Sequence, residues 1–346
     1  MKIEDLGTPA LVVDAARMEE NLSRMASVHP GRTLRPHVKA HKCTTLAKRQ
    51  AAHGHPTFCA ATIREIEGMA AAGLGEDLLL ANEVLDATRL GAVVRAGARV
   101  TLAVDSSETI DAAVRGGVPE VLIDVNVGMP RCGCAPEEAG RLGEEARKRG
   151  LSVRGVMGYE GHVVGLAERS ARESGCEASM QKLLAAHADV GGDVISAGGT
   201  GTFDCNSWAT EIQAGSYVFM DHAYGGLDLP FQQAFFLLST VISVSSGYAV
   251  GDAGLKSLGM DHGNPALPGG RLLFCSDEHT TFVPGRGEAE ALPSPIGWEA
   301  PAVARVGDRI RLIPGHVDPT LAYHERLYVA EGDEIVDEWE IDLRGW

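Results

Sequence analysis

The stretch TFCAATIREIEGMAAAGLGEDLLLAN, residues Thr57 to Asn82, decides the fold class. It begins with a short apolar run, Thr57–Ile63, and ends with a second one, Asp77–Asn82. Between these runs, TIREIEGMAAAG places apolar residues three and four positions apart, which is the spacing of one face of a helix. A strand, a helix and a second strand in this order predict one unit of an α/β fold.

The same alternation continues on both sides of this stretch, from about Arg32 to Phe219. Further strands are predicted at Thr33–Lys39, Val100–Asp105, Glu120–Asn126, Val153–Tyr159, Val194–Gly199 and Ile212–Phe219. Helical segments such as APEEAGRLGEEARKRG and EASMQKLLAAHADV separate most of them. Eight strands alternating with helices predict a closed (β/α)8 barrel of the TIM type. A doubly wound open sheet is the alternative, but the Gly-x-Gly-x-x-Gly turn that it often carries is missing after the first strand.

The pattern of residue types in the sequence changes after about Leu229. Strand-like runs broken by Gly, Pro and Asp follow, among them FFLLSTVISVSS, RLLFCSDEHTTFV and RLYVAEGDEIVDEWEID, and no clear helix remains. This pattern predicts a C-terminal all-β domain over residues 229–346, after a barrel over residues 10–228. The N-terminal TPALVVD also reads as a strand, which we expect to pair with the C-terminal domain rather than with the barrel, and residues 1–9 are assigned to the β-domain.

Composition excludes several classes of partner. The chain has 346 residues and a net charge of −16, which argues against binding to nucleic acid or to an anionic membrane surface. No apolar run is long enough to span a membrane, and the N-terminus lacks the apolar segment of a signal peptide. The seven cysteines are odd in number and scattered, which favours a reducing compartment over a disulfide framework. We therefore expect a cytoplasmic protein whose partner is a small molecule.

A lysine is expected at the mouth of the barrel. Lys39 lies in LRPHVKAHK, at the predicted C-terminal end of the first strand, and catalytic groups of barrels gather at that rim. Desolvation and neighbouring cations lower the pKa of a lysine in such a mouth, and an amine of this kind can form a Schiff base with an aldehyde. The alternative is a solvated basic turn without chemistry.

Two glycine-containing turns at the last barrel strands suit a phosphate group. In SAGGTGTFD, after the seventh strand, the backbone can approach an anion closely, and the hydroxyls of Thr200 and Thr202 can hold phosphate oxygens. The eighth strand adds Gly215, Ser216 and Tyr217. Barrels often bind phosphate at these two positions. A phosphate site together with a reactive lysine predicts pyridoxal 5′-phosphate.

The segment PGHVDPT, Pro314 to Thr320, predicts a metal site. On an extended strand His316 and Asp318 would face the same side. An imidazole and a carboxylate suit a divalent metal such as Mn²⁺, Mg²⁺ or Zn²⁺, and two ligands leave positions open for water and substrate. A salt-bridged surface turn is the alternative.

Three further side chains follow barrel strands. Arg131 comes after the fifth strand, and Tyr159 and His162, in GYEGH, come after the sixth. We expect these side chains to contact the cofactor or the substrate. The alternative for each is a packed or solvated loop residue.

These motifs together resemble the family of D-threonine aldolases and D-serine dehydratases, pyridoxal-phosphate enzymes with an alanine-racemase-like fold. The motifs RPHVKAHK, DVNVGMPRCG, GGTGTF, EIQAGSYVFMD, DAGLKSL and HVDPT occur in family order from about Thr8 to Thr320. The resemblance implies a homodimer with shared active sites. It also implies a Schiff base at Lys39, cofactor contacts at Arg131 and Tyr159, and metal ligands at His316 and Asp318. The implied phosphate ligands are Thr200, Gly201, Gly215, Ser216 and Tyr217.

The resemblance also implies a reaction. Aldolases of the family typically carry His-x-Asp at the metal, and its dehydratases carry His-x-Cys, so Asp318 favours cleavage of D-threonine-like D-3-hydroxy amino acids to glycine and an aldehyde. The aldolases usually have a histidine six residues beyond the strand-six tyrosine, where this chain has Gly165, so His162 or metal-bound hydroxide is the expected base. One alternative is a dehydratase giving a 2-oxo acid and ammonia, with Lys39 taking the α-proton. A racemase would not need the metal pair, and a non-catalytic pyridoxal-phosphate-binding barrel would not be expected to carry the β-domain.

Overall fold

The computed structural model describes residues 1–285 and 296–346. The strands are β1 (Ala10–Asp14), β2 (Thr57–Ala60), β3 (Asp77–Leu80), β4 (Val100–Val104), β5 (Glu120–Asp124), β6 (Ser152–Met157), β7 (Val194–Ala197), β8 (Glu211–Ile212), β9 (Phe235–Ser245), β10 (Tyr248–Gly251), β11 (Gly270–Cys275), β12 (Thr280–Pro284), β13 (Arg309–Leu312), β14 (Arg326–Glu331) and β15 (Glu334–Glu340). The helices are α1 (Ala15–Val28), α2 (Thr44–Ala52), α3 (Ile63–Ala71), α4 (Thr88–Arg95), α5 (Ser107–Gly116), α6 (Ala139–Lys148), α7 (Arg169–Val190), α8 (His222–Gly225) and α9 (Val317–Tyr323). Within the described residues, no helix is long and apolar enough to cross a membrane.

The chain forms two compact units. The barrel unit comprises Met25–Gly215 and Asp342–Trp346, and the β unit comprises Met1–Arg24 and Ser216–Ile341. The domain ranges proposed from the sequence, a barrel over residues 10–228 and a β-domain over residues 229–346 with residues 1–9, stay a prediction.

The barrel unit contains a sheet in which β2 to β8 follow one another in chain order, and every neighbouring pair is parallel. The segment before α2 joins both edge strands through the parallel bridges Leu34–Ile212 and His37–Cys59. These bridges close the ring and confirm the barrel fold. The predicted first strand, Thr33–Lys39, is reduced to these bridges because its last residues turn into a short 3-10 helix, Val38–Ala40.

The barrel strands bury both of their faces, which explains why they read as nearly continuous apolar runs. Alternate side chains point to opposite faces. One set packs in a cluster with the helix residues Ile66 and Leu90, and includes Phe58, Leu80 and Val104. The other set forms a separate cluster of Cys59, Leu79, Ala103, Leu122 and Met157.

A buried ion network lies at the strand starts, the end of the barrel opposite the strands' C-termini. Arg35 donates to Asp77, the first residue of β3, at 3.1 Å and to Glu211, the first residue of β8, at 2.8 Å. Arg154 donates to the same Asp77 at 2.9 Å. Burial raises the pKa of Asp77, but the hydrogen bond from Arg154 and the charge of Arg35 outweigh it and lower that pKa to about 2. This network contributes to stability rather than to chemistry.

The β unit is built around β1, which pairs antiparallel with β9 and parallel with β14. The sheet runs β11-β12-β10-β9-β1-β14-β15, and β13 pairs with β9. The expected pairing of the N-terminal strand with the C-terminal region is therefore confirmed. The expectation that this region lacks helices is wrong for α9. Its first turn contains Pro319, and proline suits that position because the backbone N–H groups there have no partner within the helix.

Candidate active site

The side chains singled out in the barrel sequence lie at one end of the barrel. The C-terminal ends of parallel strands meet at the same rim, and catalytic groups of barrels are found there. The segments that follow the closing bridges and β5, β6, β7 and β8 carry, in this order, Lys39, Arg131, Tyr159, Thr200 and Gly215.

The two lysines of the opening motif differ in their surroundings. Lys42 has a left-handed backbone, with φ of 50°, and its ammonium pairs with the fully buried carboxylate of Glu65. Lys39 lies half-buried in the short 3-10 helix. Beside them, burial and then the positive charges of Lys39, Lys42 and Arg131 lower the pKa of His37 well below its usual value. Lys42 is therefore committed to an ion pair, and Lys39 remains the candidate nucleophile in a cationic environment.

Tyr159 is held by its neighbours at the same rim. The guanidinium of Arg131 lies 5.4 Å from the centre of the Tyr159 ring, a cation–π arrangement. The ring packs so closely against Gly199 that a Cβ there would lie 3.3 Å from Cε2 of Tyr159. The tyrosine ring, the arginine and the glycine-rich turn thus form one packed group.

The glycine-rich turn after β7 fits a phosphate group. A Cβ at Gly201 would overlap the carbonyl oxygen of Val164, and a Cβ at Gly215 would lie 2.7 Å from the carbonyl oxygen of His37. Both positions therefore require glycine, and turns free of side chains leave backbone amides accessible to an anion. Thr200 is buried beside Gly201.

The remaining predicted phosphate ligands are Thr202, Ser216 and Tyr217. The hydroxyl of Thr202 lies 2.9 Å from a carboxylate oxygen of Glu160 and accepts a hydrogen bond from the N–H of Gly199. Ser216 and Tyr217 lie in the 3-10 helix Ser216–Val218 of the β unit, and the Tyr217 ring centre lies 5.7 Å from that of Phe231. Their contacts with a cofactor stay a prediction.

The predicted base, His162, is exposed and lies close to the loop after β5. A Cβ at Gly128 would lie 2.8 Å from Nε2 of His162, so the imidazole packs over that glycine. Around Gly165, a Cβ would meet no atom of the described residues within 4 Å. His162 is therefore the imidazole that the loop after β6 presents, and its role as a base stays a prediction.

The two predicted metal ligands, both in the β unit, lie close together. Nε2 of His316 and Oδ1 of Asp318 are 3.7 Å apart, and both side chains are largely buried. Two donors that each lie about 2.1 Å from one ion are about 3.0 Å apart at a right angle and about 4.2 Å apart when opposite, so this pair fits one divalent metal.

The backbone that carries this pair differs from the expected extended strand. His316 is the N-cap of α9, and Asp318 lies in the first turn of that helix. The fully buried Asp221 accepts the N–H of Val317 at 2.9 Å, and the hydroxyl of Thr320 donates to the carbonyl of His316. An alternation over three residues cannot distinguish a strand from a helix start, and these capping bonds decide in favour of the helix.

Sequence reasoning missed the neighbours that orient His316. Nδ1 of His316 lies 2.8 Å from a carboxylate oxygen of Asp261, and its ring stacks on that of His262 with the ring centres 3.7 Å apart. In the described part of the chain, Asp261, His262 and His316 are a group whose ligand atoms all lie within 4.8 Å of one another. The Asp261 contact leaves Nε2 of His316 on the side of Asp318, as in many metal-binding histidines. The Asp-His pair in GMDHGN was the available signal.

Glu160, in GYEGH, was also missed. It is fully buried and accepts hydrogen bonds from Gly198, Thr202 and Asn206, all in the turn after β7. A carboxylate between a tyrosine and a glycine at a strand end was the signal that could have found it.

Comparisons with known proteins agree with this geometry. The family of the alanine racemase N-terminal domain matches residues 13–223, and the putative serine dehydratase domain matches residues 234–330. The D-threonine aldolase of Arthrobacter sp. is 36% identical over 98% of this chain and 93% of its own length. The D-threo-3-hydroxyaspartate dehydratase of Delftia sp. (strain HT23) is 29% identical over 99% of this chain and 98% of its own length.

A solved structure shows the same fold over the whole chain. The crystal structure of D-threonine aldolase from Filomicrobium marinum superposes with a TM-score of 0.88 at 32% identity, covering 100% of this chain and 97% of that one. The chain therefore belongs to the pyridoxal-phosphate-dependent lyases of the D-threonine aldolase and D-serine dehydratase family, whose barrel is that of alanine racemase.

Proposed function

We propose that this enzyme is an aldolase that cleaves D-3-hydroxy amino acids resembling D-threonine between Cα and Cβ, giving glycine and an aldehyde. The observation that carries the proposal is the donor pair of His316 and Asp318, 3.7 Å apart, in which the second ligand is a carboxylate rather than a thiolate. The similarity to the Arthrobacter D-threonine aldolase supports the same reaction.

The barrel residues would bind and orient the cofactor. Bound pyridoxal phosphate supplies an electron sink for the electron pair of the broken Cα–Cβ bond. Lys39, half-buried at the barrel rim, would supply the amine that holds the cofactor aldehyde. Tyr159, fixed beneath Arg131, would line the pocket, while Thr200, Gly201, Gly215, Ser216 and Tyr217 would hold the phosphate. Thr202, whose hydroxyl donates to Glu160, would support the phosphate-binding turn.

The residues of the β unit would activate the substrate hydroxyl. A divalent metal held by His316 and Asp318 would lower the pKa of the 3-hydroxyl group. His162 would then accept the hydroxyl proton at a ring nitrogen, because its exposed imidazole is available to a substrate. We infer Mn²⁺ or Mg²⁺ over Zn²⁺, since a carboxylate is a harder ligand than a thiolate.

A dehydratase is the second candidate function. It is favoured by the 29% identity to the Delftia dehydratase over nearly the whole of both chains and by Gly165, which stands where aldolases of the family usually have a histidine. In that reaction Lys39 would take the α-proton, and the metal would assist departure of the hydroxyl group.

A product assay separates the candidate functions. The purified enzyme, supplied with pyridoxal phosphate and Mn²⁺, is given a panel of D-3-hydroxy amino acids. Glycine, aldehyde, 2-oxo acid and ammonia are quantified, and the optical rotation is followed. Glycine and aldehyde in equal amounts are expected. A 2-oxo acid and ammonia without glycine would establish the dehydratase instead. Loss of optical activity alone would indicate a racemase, and no product from any substrate would indicate a non-catalytic cofactor-binding protein.

We further infer that the enzyme acts as a homodimer with shared active sites in the cytoplasm. Strands β9, β10 and β11, which belong to one sheet of the β unit, expose apolar side chains, among them Ile242, Tyr248, Leu273 and Phe274, and Phe274 is 55% exposed. We infer that these side chains form one apolar patch of the kind that is typical of a protein–protein interface. All seven cysteines are free thiols, which suits a reducing compartment.

A further inference from the structure

The carboxylate of Glu160 lies under the turn that carries the predicted phosphate ligands. Glu160 is fully buried. Its Oε2 accepts the N–H of Gly198 at 3.1 Å, and its Oε1 accepts the hydroxyl of Thr202 at 2.9 Å and the side-chain amide of Asn206 at 3.1 Å. The thiol of Cys176, on α7, also points at Oε1, at 3.7 Å. One side chain after β6 thus connects both ends of the turn after β7.

The hydrogen bonds form a directed chain. The N–H of Gly199 donates to the hydroxyl oxygen of Thr202 at 3.2 Å, and that hydroxyl donates its proton to Glu160. Gly198, Thr202 and Asn206 all donate hydrogen bonds to Glu160. A carboxylate can accept such bonds at both of its oxygens, whereas a neutral amide has only one acceptor oxygen. The arrangement therefore needs a side chain with two acceptor oxygens at this position.

The turn also lies against the loop that carries Glu160. A Cβ at Gly201 would overlap the carbonyl oxygen of Val164, and a Cβ at Gly199 would lie 3.2 Å from Cγ1 of Val164. Because Glu160 directly follows Tyr159, the same carboxylate ties the tyrosine to the turn. A turn held in one conformation before its ligand arrives loses less entropy on binding.

We propose that Glu160 is the positioning residue of the phosphate-binding turn, holding residues 198–206 in the conformation that accepts the phosphate of the cofactor. The inference deepens the proposed function and rests on it in one respect, that this turn receives the cofactor phosphate. Glu160 itself touches neither phosphate nor substrate and acts through Thr202, Gly198 and Asn206.

The test compares two ligands that differ only in the phosphate. The full-length chain is freed of cofactor and titrated with pyridoxal phosphate and, separately, with pyridoxal, and the visible absorbance band reports binding. Wild type, Glu160→Gln and the control Glu144→Gln are measured. Glu144 is an exposed glutamate on α6 that pairs with Lys148 at 3.3 Å, so its substitution should leave both affinities unchanged.

In Glu160→Gln, the amide must turn its NH₂ group towards at least one of the donors, which displaces the turn. The Kd for pyridoxal phosphate should rise by about tenfold or more, whereas the Kd for pyridoxal should stay within about twofold of wild type. A damaged pocket would weaken both ligands by the same factor, and that result would overturn the inference. So would a Kd for pyridoxal phosphate within about twofold of wild type.

A second variant tests the positioning role of Glu160 if Glu160→Gln does not fold. Asn206→Ala removes one donor to Oε1 of Glu160 and no predicted cofactor contact. It should raise the Kd for pyridoxal phosphate by roughly threefold or more, in line with the loss of one charge-assisted bond, and leave pyridoxal unaffected. Equal affinities in wild type and Asn206→Ala would then reject the inference. If wild type itself does not prefer pyridoxal phosphate to pyridoxal, the proposed cofactor site fails, whatever the variants do.

Discussion

Replacing Asp77 by asparagine is expected to destabilise the barrel and to leave cofactor binding intact. Asp77 is the first residue of β3, at the end of the barrel opposite the rim that carries Lys39. Its carboxylate receives Arg35 at 3.1 Å and Arg154 at 2.9 Å, and its side chain is 2% exposed. Solvent therefore screens these interactions little.

The lowered pKa of Asp77 gives the size of its contribution to the free energy of unfolding. It is lowered from 3.8 to about 2 in the folded chain, because Arg154 and Arg35 outweigh the effect of burial. A difference of about 2 pKa units corresponds to about 2.5 kcal/mol of folding free energy. Because the folded pKa is the lower one, this contribution is present at neutral pH and is lost as the pH falls from about 4 towards 2. Asp77→Asn should cost about 3 kcal/mol at neutral pH, which lowers Tm by roughly 6–12 °C.

The measurement is thermal and urea unfolding of wild type and Asp77→Asn, followed by circular dichroism from pH 7 down to pH 3. The difference in stability should narrow below about pH 4 as the wild-type carboxyl group is protonated. Glu144→Gln breaks an exposed pair with Lys148 in the same unit and should cost less than about 0.5 kcal/mol. A difference at neutral pH below about 1 kcal/mol, or one that stays constant down to pH 3, would refute the reasoning.

Three further predictions concern the site. Lys39→Ala should lose the visible absorbance band that borohydride removes, and a reducible band in this variant would place the Schiff base elsewhere. Lys42→Ala should keep the band but lose stability, because Glu65 would remain buried without its cation. Asp318→Ala should lower the rate of aldol cleavage at least about 10²-fold and weaken Mn²⁺ binding measured by calorimetry. The cofactor should stay bound in this variant, as it should after EDTA treatment of wild type. Cleavage at the wild-type rate after exhaustive chelation would contradict the metal's role. Phe274→Glu should shift the enzyme from dimer to monomer in analytical ultracentrifugation and reduce its activity, since it places a charge in the exposed apolar patch; an unchanged dimer would remove this patch from the interface.

The barrel could be read from the sequence because its signal is local. Each strand is a short apolar run, and each helix repeats apolar residues at three- and four-residue spacing, so the pattern from Thr57 to Asn82 was sufficient for one unit and its repetition for the whole barrel. Boundaries were less well predicted where a strand ends in a turn. The first strand shortened to two bridges before the 3-10 helix Val38–Ala40, and PGHVDPT became the start of α9.

The sequence by itself determined the α/β barrel, the β-rich C-terminal region, the family, and a short set of candidate side chains, led by Lys39 and Asp318. These follow from periodicity and from motifs whose residues are near one another in the chain. Only the tertiary structure decided which lysine is committed to an ion pair, and which groups hold the site in place. Asp261 meets His316 across 55 residues, and Arg35 meets Glu211 across 176. Such partners are selected by the closing of the barrel and the pairing of distant strands, and no local pattern of hydrophobic and polar residues encodes them.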